Sequence, residues 1–191
     1  MNPALYGLVV PTPASALPDT WADGGLALRP QTEQDMPFLQ ALFASVRGSE
    51  FEGNGWPDAF RSAFLDQQFR FQLAHYAQYY ADADLLIIER QGAPIGRLYL
   101  HRSPSEHRIV DISLLPEARN QGLGGALLDI ACAEAHRLGR VVSLHVEKNN
   151  PAQRLYRRKG FVQVGESGPY WLMIRAPGQD VPAEEHTEAG T

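Results

Sequence analysis

The chain has 191 residues, 44% hydrophobic and 20% charged, which suits an ordinary globular domain able to bury a core. Its net charge of -5 gathers at the ends: Asp19 and Asp23 near the start, and Asp180, Glu184, Glu185 and Glu188 in residues 176–191, which hold no Lys or Arg. The stretch between is near neutral, which excludes the strongly basic face that nucleic acid demands, and a lone Cys132 excludes an internal disulfide.

No apolar run approaches the roughly 20 residues that cross a bilayer. The first residues lack a basic segment and carry prolines, unlike a secretory leader. A cytoplasmic protein without nucleic-acid or membrane partners is expected. Residues 1–24 read as a mobile N-terminal tail, 25–176 as one domain, and 177–191 as an acidic, disordered C-terminal tail.

Within the domain, residues 25–32 read as a first strand. Thr32 and Asp35 stand at capping-box spacing before Phe38, Leu39, Leu42, Phe43 and Val46, which recur at helical period. A glycine-punctuated loop leads to a second helix from Asp58 to about Tyr80, with Phe60, Phe64, Phe71 and Ala74 expected as its core-facing stripe. Three strands follow, 85–90, 95–102 and 107–115, joined by short polar turns as in an antiparallel meander. After a glycine-rich turn, Leu127, Leu128, Ala131, Ala135 and Leu138 mark one face of a helix that Gly139 ends. Cys132 lies in this helical pattern, as a buried and inert thiol would. A strand at 141–146, a short helix at 150–160 and a final hairpin complete the chain. This order predicts an α/β fold: a single mixed, mostly antiparallel sheet with helices on both faces and a parallel pair around the strand–helix–strand unit 107–146.

The turn "RNQGLGG", Arg119 to Gly125, places glycines where a helix begins, an entropically costly choice. Free amides at a helix N-terminus attract anions, and glycines let an anion approach the backbone. The phosphate loop of nucleotide hydrolases needs Lys and Ser/Thr after the last glycine, where this chain has Gly125 and Ala126. The dinucleotide fingerprint needs a glycine where Leu127 stands. Neither fits.

Arg119-Asn120-Gln121-Gly122-Leu123-Gly124 resembles the Arg/Gln-x-x-Gly-x-Gly/Ala signature of the GNAT superfamily of N-acetyltransferases. Downstream, Asn149-Asn150-Pro151-Ala152-Gln153-Arg154-Leu155-Tyr156, followed by Gly160-Phe161, is similar to a second motif of that superfamily, in the same order and spacing. The resemblance runs from about residue 25 to 176 and implies the GNAT fold, whose central parallel pair splays. It also implies acetyl-CoA as cosubstrate, with its pyrophosphate on the amides from Gln121 to Gly125 and Arg119 flanking it. Ile112, Ser113, Leu114 and Leu115 would meet the pantetheine and thioester, with Asn149, Ala152 and Tyr156 on the far side. No metal is implied, since no His/Cys cluster has metal spacing.

Acetyl transfer to an amine asks for a base, an oxyanion donor and an acid for the leaving thiolate. The resemblance assigns the donor to the Leu114 amide and the acid to Tyr156; a phenol, with an ordinary pKa of roughly 10, is protonated at neutral pH. The base position falls on His145, an imidazole with an ordinary pKa of about 6.5, with Asp111 as the alternative. The expected reaction is direct acetyl transfer from acetyl-CoA to a primary amine of a small-molecule or protein acceptor. An inactive CoA-binding sensor, or an acyltransferase using a pocket near Gly96 for a longer acyl group, remain open. Many members of the superfamily pair, so a homodimer through the aromatic second helix is a further expectation.

Overall fold

The computed structural model describes residues 24–51 and 55–178. Both expected tails fall almost wholly outside the described residues. The strands are β1 (Leu26–Pro30), β2 (Asp84–Arg90), β3 (Ala93–Arg102), β4 (Glu106–Leu114), β5 (Val141–Glu147), β6 (Val162–Ser167) and β7 (Tyr170–Arg175). The helices are α1 (Met36–Arg47), α2 (Asp58–Tyr79), α3 (Leu123–Arg137) and α4 (Gln153–Arg158). The strands form one sheet in the order β1-β2-β3-β4-β5-β7-β6, mostly antiparallel, with β4 and β5 parallel and helices flanking it. The residues divide into two compact units: one runs through Arg102 and resumes over Ile109–Gly124, the other joins Ser103–Arg108 to the residues from Gly125 onward.

In the first unit, β1 pairs with β2 and β2 with β3, antiparallel as the short turns require. Leu39 and Phe43 of α1, Leu65 and Phe69 of α2, and Ile87 of β2 form a buried cluster, with Leu73 packed against it. The buried stripe of α2 is therefore Leu65–Phe69–Leu73, one residue every four. The expected stripe is corrected: Phe60 and Phe71 are 55% and 59% exposed, and Ala74 is exposed too. Phe60 and Phe64 instead gather with Phe51 and Trp56, with ring centroids 4.9 to 5.6 Å apart. The sheet-facing side of α2 was masked by its polar members, Gln72 and Tyr76, which bond to β3 and β4.

The capping box ahead of α1 forms. The Asp35 carboxylate accepts the Thr32 amide at 2.7 Å and pairs with Arg29 through two hydrogen bonds of 2.8 and 2.7 Å. Its hydrogen bonds from Arg29 lower the Asp35 pKa to about 2, although burial opposes them. A depressed carboxylate stabilises the fold above its unfolded pKa and loses that contribution as pH falls through its folded value. Asp35→Asn should therefore cost up to about 2 kcal/mol at neutral pH, after allowing for the partly exposed Arg29, and nearly nothing at about pH 2. Denaturant unfolding at the two pH values checks this; an equal cost at both would assign it to packing.

In the second unit, β7 lies between β5 and β6, antiparallel to both. Leu127, Leu128, Ala131 and Ala135 of α3 are buried as expected, but Leu138 is 51% exposed. It lies past the end of α3, in the turn where Gly139 adopts φ +65° and the Arg140 amide bonds back to the Ala135 carbonyl at 2.9 Å. The helix ends at Arg137, and the Leu138 amide tightens onto the Ala135 carbonyl at 3.1 Å, so Leu138 leaves the helical face. The same device closes α4: Gly160 sits at φ +80° and the Phe161 amide donates to the Tyr156 carbonyl at 3.0 Å. α4 is also shorter than the expected 150–160, because Pro151 and Ala152 lie in the turn before it.

Candidate active site

Within the first unit, the end of β4 and the glycine turn form one continuous feature. The Leu115 amide donates to the Ile95 carbonyl at 2.9 Å. Alternation along a strand then turns the N–H and C=O of Leu114 to the opposite edge, away from β3. There the Leu114 carbonyl accepts Nε of Arg119 at 2.9 Å. A single 3-10 turn, Pro116–Ala118, leads into the exposed residues Arg119, Asn120, Gln121 and Gly122. Asn120 and Gly122 take φ values of +58° and +80°. A Cβ at Gly122 would meet nothing within 4 Å, so the backbone angle rather than crowding favours glycine there. Gln121 is held at both ends, its Oε1 accepting Arg90 at 2.9 Å and its Nε2 donating to the Glu117 carbonyl at 2.6 Å.

α3 then begins at Leu123. The amides of its first turn have no acceptor within the helix, and the helix dipole adds positive potential. A helix start of this kind suits an anion. A Cβ at Gly125 would lie 3.2 Å from Cε of Lys159, whose flexible side chain could move aside.

Beside this feature in the same unit is a buried polar cluster that sequence reasoning missed, apart from Asp111 and Ser113. Arg97 on β3 is 2% exposed and pairs with Asp111 of β4 at 2.5 Å. Asp111 also accepts the Tyr76 hydroxyl at 2.7 Å and the Ser113 hydroxyl at 2.6 Å, while Arg97 donates to Gln72 at 2.6 Å. The Tyr99 and Tyr76 rings lie 5.1 and 5.8 Å from the guanidinium carbon. Burial works against the Arg97 charge, but Asp111 and the two phenols outweigh it and hold the guanidinium above its ordinary pKa. Burial is also the main cause that raises both phenols, Tyr99 to about 12. Asp111 is thus committed to a buried cation, which counts against it as a free base.

Within the second unit, Tyr156 is 8% exposed on α4, its ring 5.9 Å from that of Phe161. Two contacts set the start of this helix. The Asn150 side chain accepts the Ala152 amide at 2.9 Å, and the buried Gln153 donates to the carbonyls of Glu147 and Lys148 at 2.9 and 2.8 Å. Asn149 itself is exposed. Gln153 anchors the end of β5 to α4, a role its place inside the second motif did not reveal.

His145 is exposed on β5, and its Nδ1 meets the guanidinium of Arg108. Arg108 in turn reaches Ser143 at 3.1 Å and Glu106 at 3.4 Å. Because a guanidinium only donates, Nδ1 must be the acceptor, which leaves the ring hydrogen on Nε2. The expectation of His145 as base meets a physical obstacle here: its one lone pair is occupied. Partial burial first, and the neighbouring Arg108 charge second, hold the imidazole below its ordinary pKa.

The family model described as "Acetyltransferase (GNAT) domain" matches residues 81–163, from just before β2 to the start of β6. Aminoalkylphosphonate N-acetyltransferase of Salmonella typhimurium is 27% identical over 144 residues, covering 71% of this chain and 84% of that protein. These matches support membership of the GNAT superfamily of acetyltransferases. The chain also shares the GNAT fold with the PaiA N-acetyltransferase of Thermoplasma acidophilum, solved in complex with coenzyme A, at a TM-score of 0.61 and 16% identity over 79% of this chain and 98% of that one. An acetyltransferase from Thermus thermophilus gives 0.58 and 21% over 79% and 96%.

The same matches support an acyltransferase, and the matched segment contains both the glycine turn and Tyr156. Cys132 is buried, and desolvation raises its thiol pKa, which suits packing rather than nucleophilic chemistry. Among the described residues no group of three His, Cys, Asp or Glu is placed to hold a metal, and no helix is long and apolar enough to cross a membrane. Gly96 itself is tightly packed: a Cβ there would come 2.4 Å from the Ser113 carbonyl oxygen and 2.7 Å from Cδ2 of Leu114.

Proposed function

We propose that this protein transfers an acetyl group from acetyl-CoA directly to a primary amine. The observation that carries this reading is the exposed turn Arg119–Gly122, which runs into the first-turn amides of α3 immediately after a strand end whose Leu114 amide faces away from β3. The turn has the chemistry to receive a pyrophosphate, and Leu114 the chemistry to polarise a thioester carbonyl. Ile112, Ser113 and Leu115 flank that carbonyl, while Asn149, Ala152 and Tyr156 come from the turn and helix after β5. Tyr156 protonates the departing thiolate as the amine displaces it, so no acyl-enzyme forms.

Deprotonation of the incoming ammonium is left to solvent, because His145 has its lone pair engaged by Arg108 and Asp111 holds a buried cation. The acidic limb of kcat/KM should therefore follow the pKa of the amine substrate and persist in His145→Ala. Two amines of different pKa decide it. A limb fixed in position for both, and lost in the variant, returns the base role to His145 at Nδ1 after Arg108 withdraws.

The acceptor class is tested with a panel of amines and acetyl-CoA, scored by release of free thiol. The curated relative named for aminoalkylphosphonates makes these the first members to assay, beside alkylamines and amino acids of matched length. Thiol release with none of them, by a protein that binds acetyl-CoA, would favour a CoA-binding sensor.

A further inference from the structure

The Ser113–Leu114 peptide is held from two sides, and both restraints lie within the first unit. On one side its carbonyl oxygen packs against Gly96 so closely that a Cβ on that residue would stand 2.4 Å away. Two atoms beyond, Cδ2 of Leu114 at 2.7 Å and Cδ1 of Ile88 at 3.2 Å, close the remaining space. Any side chain at position 96 must therefore move backbone, not merely a flexible tip. On the other side, the Ser113 hydroxyl is tied to Asp111 at 2.6 Å, and Asp111 is itself fixed by Arg97 and Tyr76.

The peptide is planar, and no cis bond occurs among the described residues. In a trans peptide the N–H points opposite to the C=O. Fixing the Ser113 carbonyl against Gly96 therefore fixes the direction of the Leu114 N–H, away from β3. We infer that Gly96 and the Asp111–Ser113 tether are positioning elements that aim the Leu114 amide at the thioester carbonyl before the substrate arrives. This inference rests on the acetyl-transfer reading above. Gly96 acts through the peptide plane, and so does the Ser113 hydroxyl, which is turned to Asp111. A preorganised donor is worth far more than one that must turn into place, so a small tilt matters.

The experiment reads the plane rather than turnover alone. The infrared carbonyl stretch of bound acetyl-CoA, labelled with 13C at the acetyl carbonyl, should lie below its value in buffer for the unaltered protein. In Gly96→Ala it should move back toward the buffer value, while the affinity for CoA, which has no thioester carbonyl, stays within about twofold. The transfer rate should fall by roughly 10²-fold, the loss typical of one oxyanion donor. Ser113→Ala, which removes a single oxygen and adds no bulk, should shift the stretch in the same direction and covers the case in which Gly96→Ala does not fold. An unshifted stretch in the folded variants, with the wild-type frequency lowered, overturns the inference alone. Failure of the wild type to bind acetyl-CoA overturns the reading beneath it, and the inference with it.

Discussion

Gly124→Val should abolish the thermal stabilisation that acetyl-CoA confers on this protein. Ligand that binds only the native state at 100 times its Kd adds about 2.7 kcal/mol, which for a chain of this size raises Tm by roughly 5 to 11 °C. Gly124 is the second residue of α3, inside the turn whose amides have no partner within the helix. A branched side chain there stands where an anion must approach, so affinity collapses although the helix survives. Differential scanning of the variant with and without acetyl-CoA, after circular dichroism has confirmed its fold, reads the effect. An unchanged shift in a folded variant removes the phosphate-cradle assignment.

Tyr156→Phe should have the largest effect on chemistry. The side chain is 8% exposed on α4, so loss of one hydroxyl leaves its packing against Phe161 in place. If the phenol protonates the leaving thiolate, kcat falls by roughly 10²- to 10⁴-fold while the Kd for CoA hardly moves. Using acyl donors with better leaving groups sharpens the result, since a thiol of lower pKa needs less help. A variant equally impaired with every donor would make Tyr156 a packing residue.

The sheet and the glycine turn were legible in the sequence because their signals are local. Strand alternation with short polar turns predicted the β2–β3 hairpin, and glycine after a helical run predicted the ends of α3 and α4. Residues whose roles depend on distant partners were not legible. The buried face of α2 includes Gln72 and Tyr76, which read as solvent-facing until their partners on β3 and β4 are known. Phe60 and Phe71 misled for the converse reason, since apolar residues need not be inside. His145 was legible as a residue type at a plausible position, but Arg108, 37 positions away, occupies its lone pair. Gly96 gave no local signal at all; only the opposite strand explains it.

The Arg97–Asp111 pair has a consequence for how this sequence can change over generations. Deleting either partner strands the other charge out of water, at a cost of about 3 to 5 kcal/mol, a large share of the stability of an ordinary domain. Replacing both together with apolar residues of similar volume is often tolerated or even favourable for stability. Single-step drift is therefore blocked at both positions, while the paired change is open only through an intermediate that folds poorly. Tyr76, Gln72 and Ser113 are bound into the same constraint, because each bonds to one member of the pair. Substitutions at these five positions should be inherited as a set.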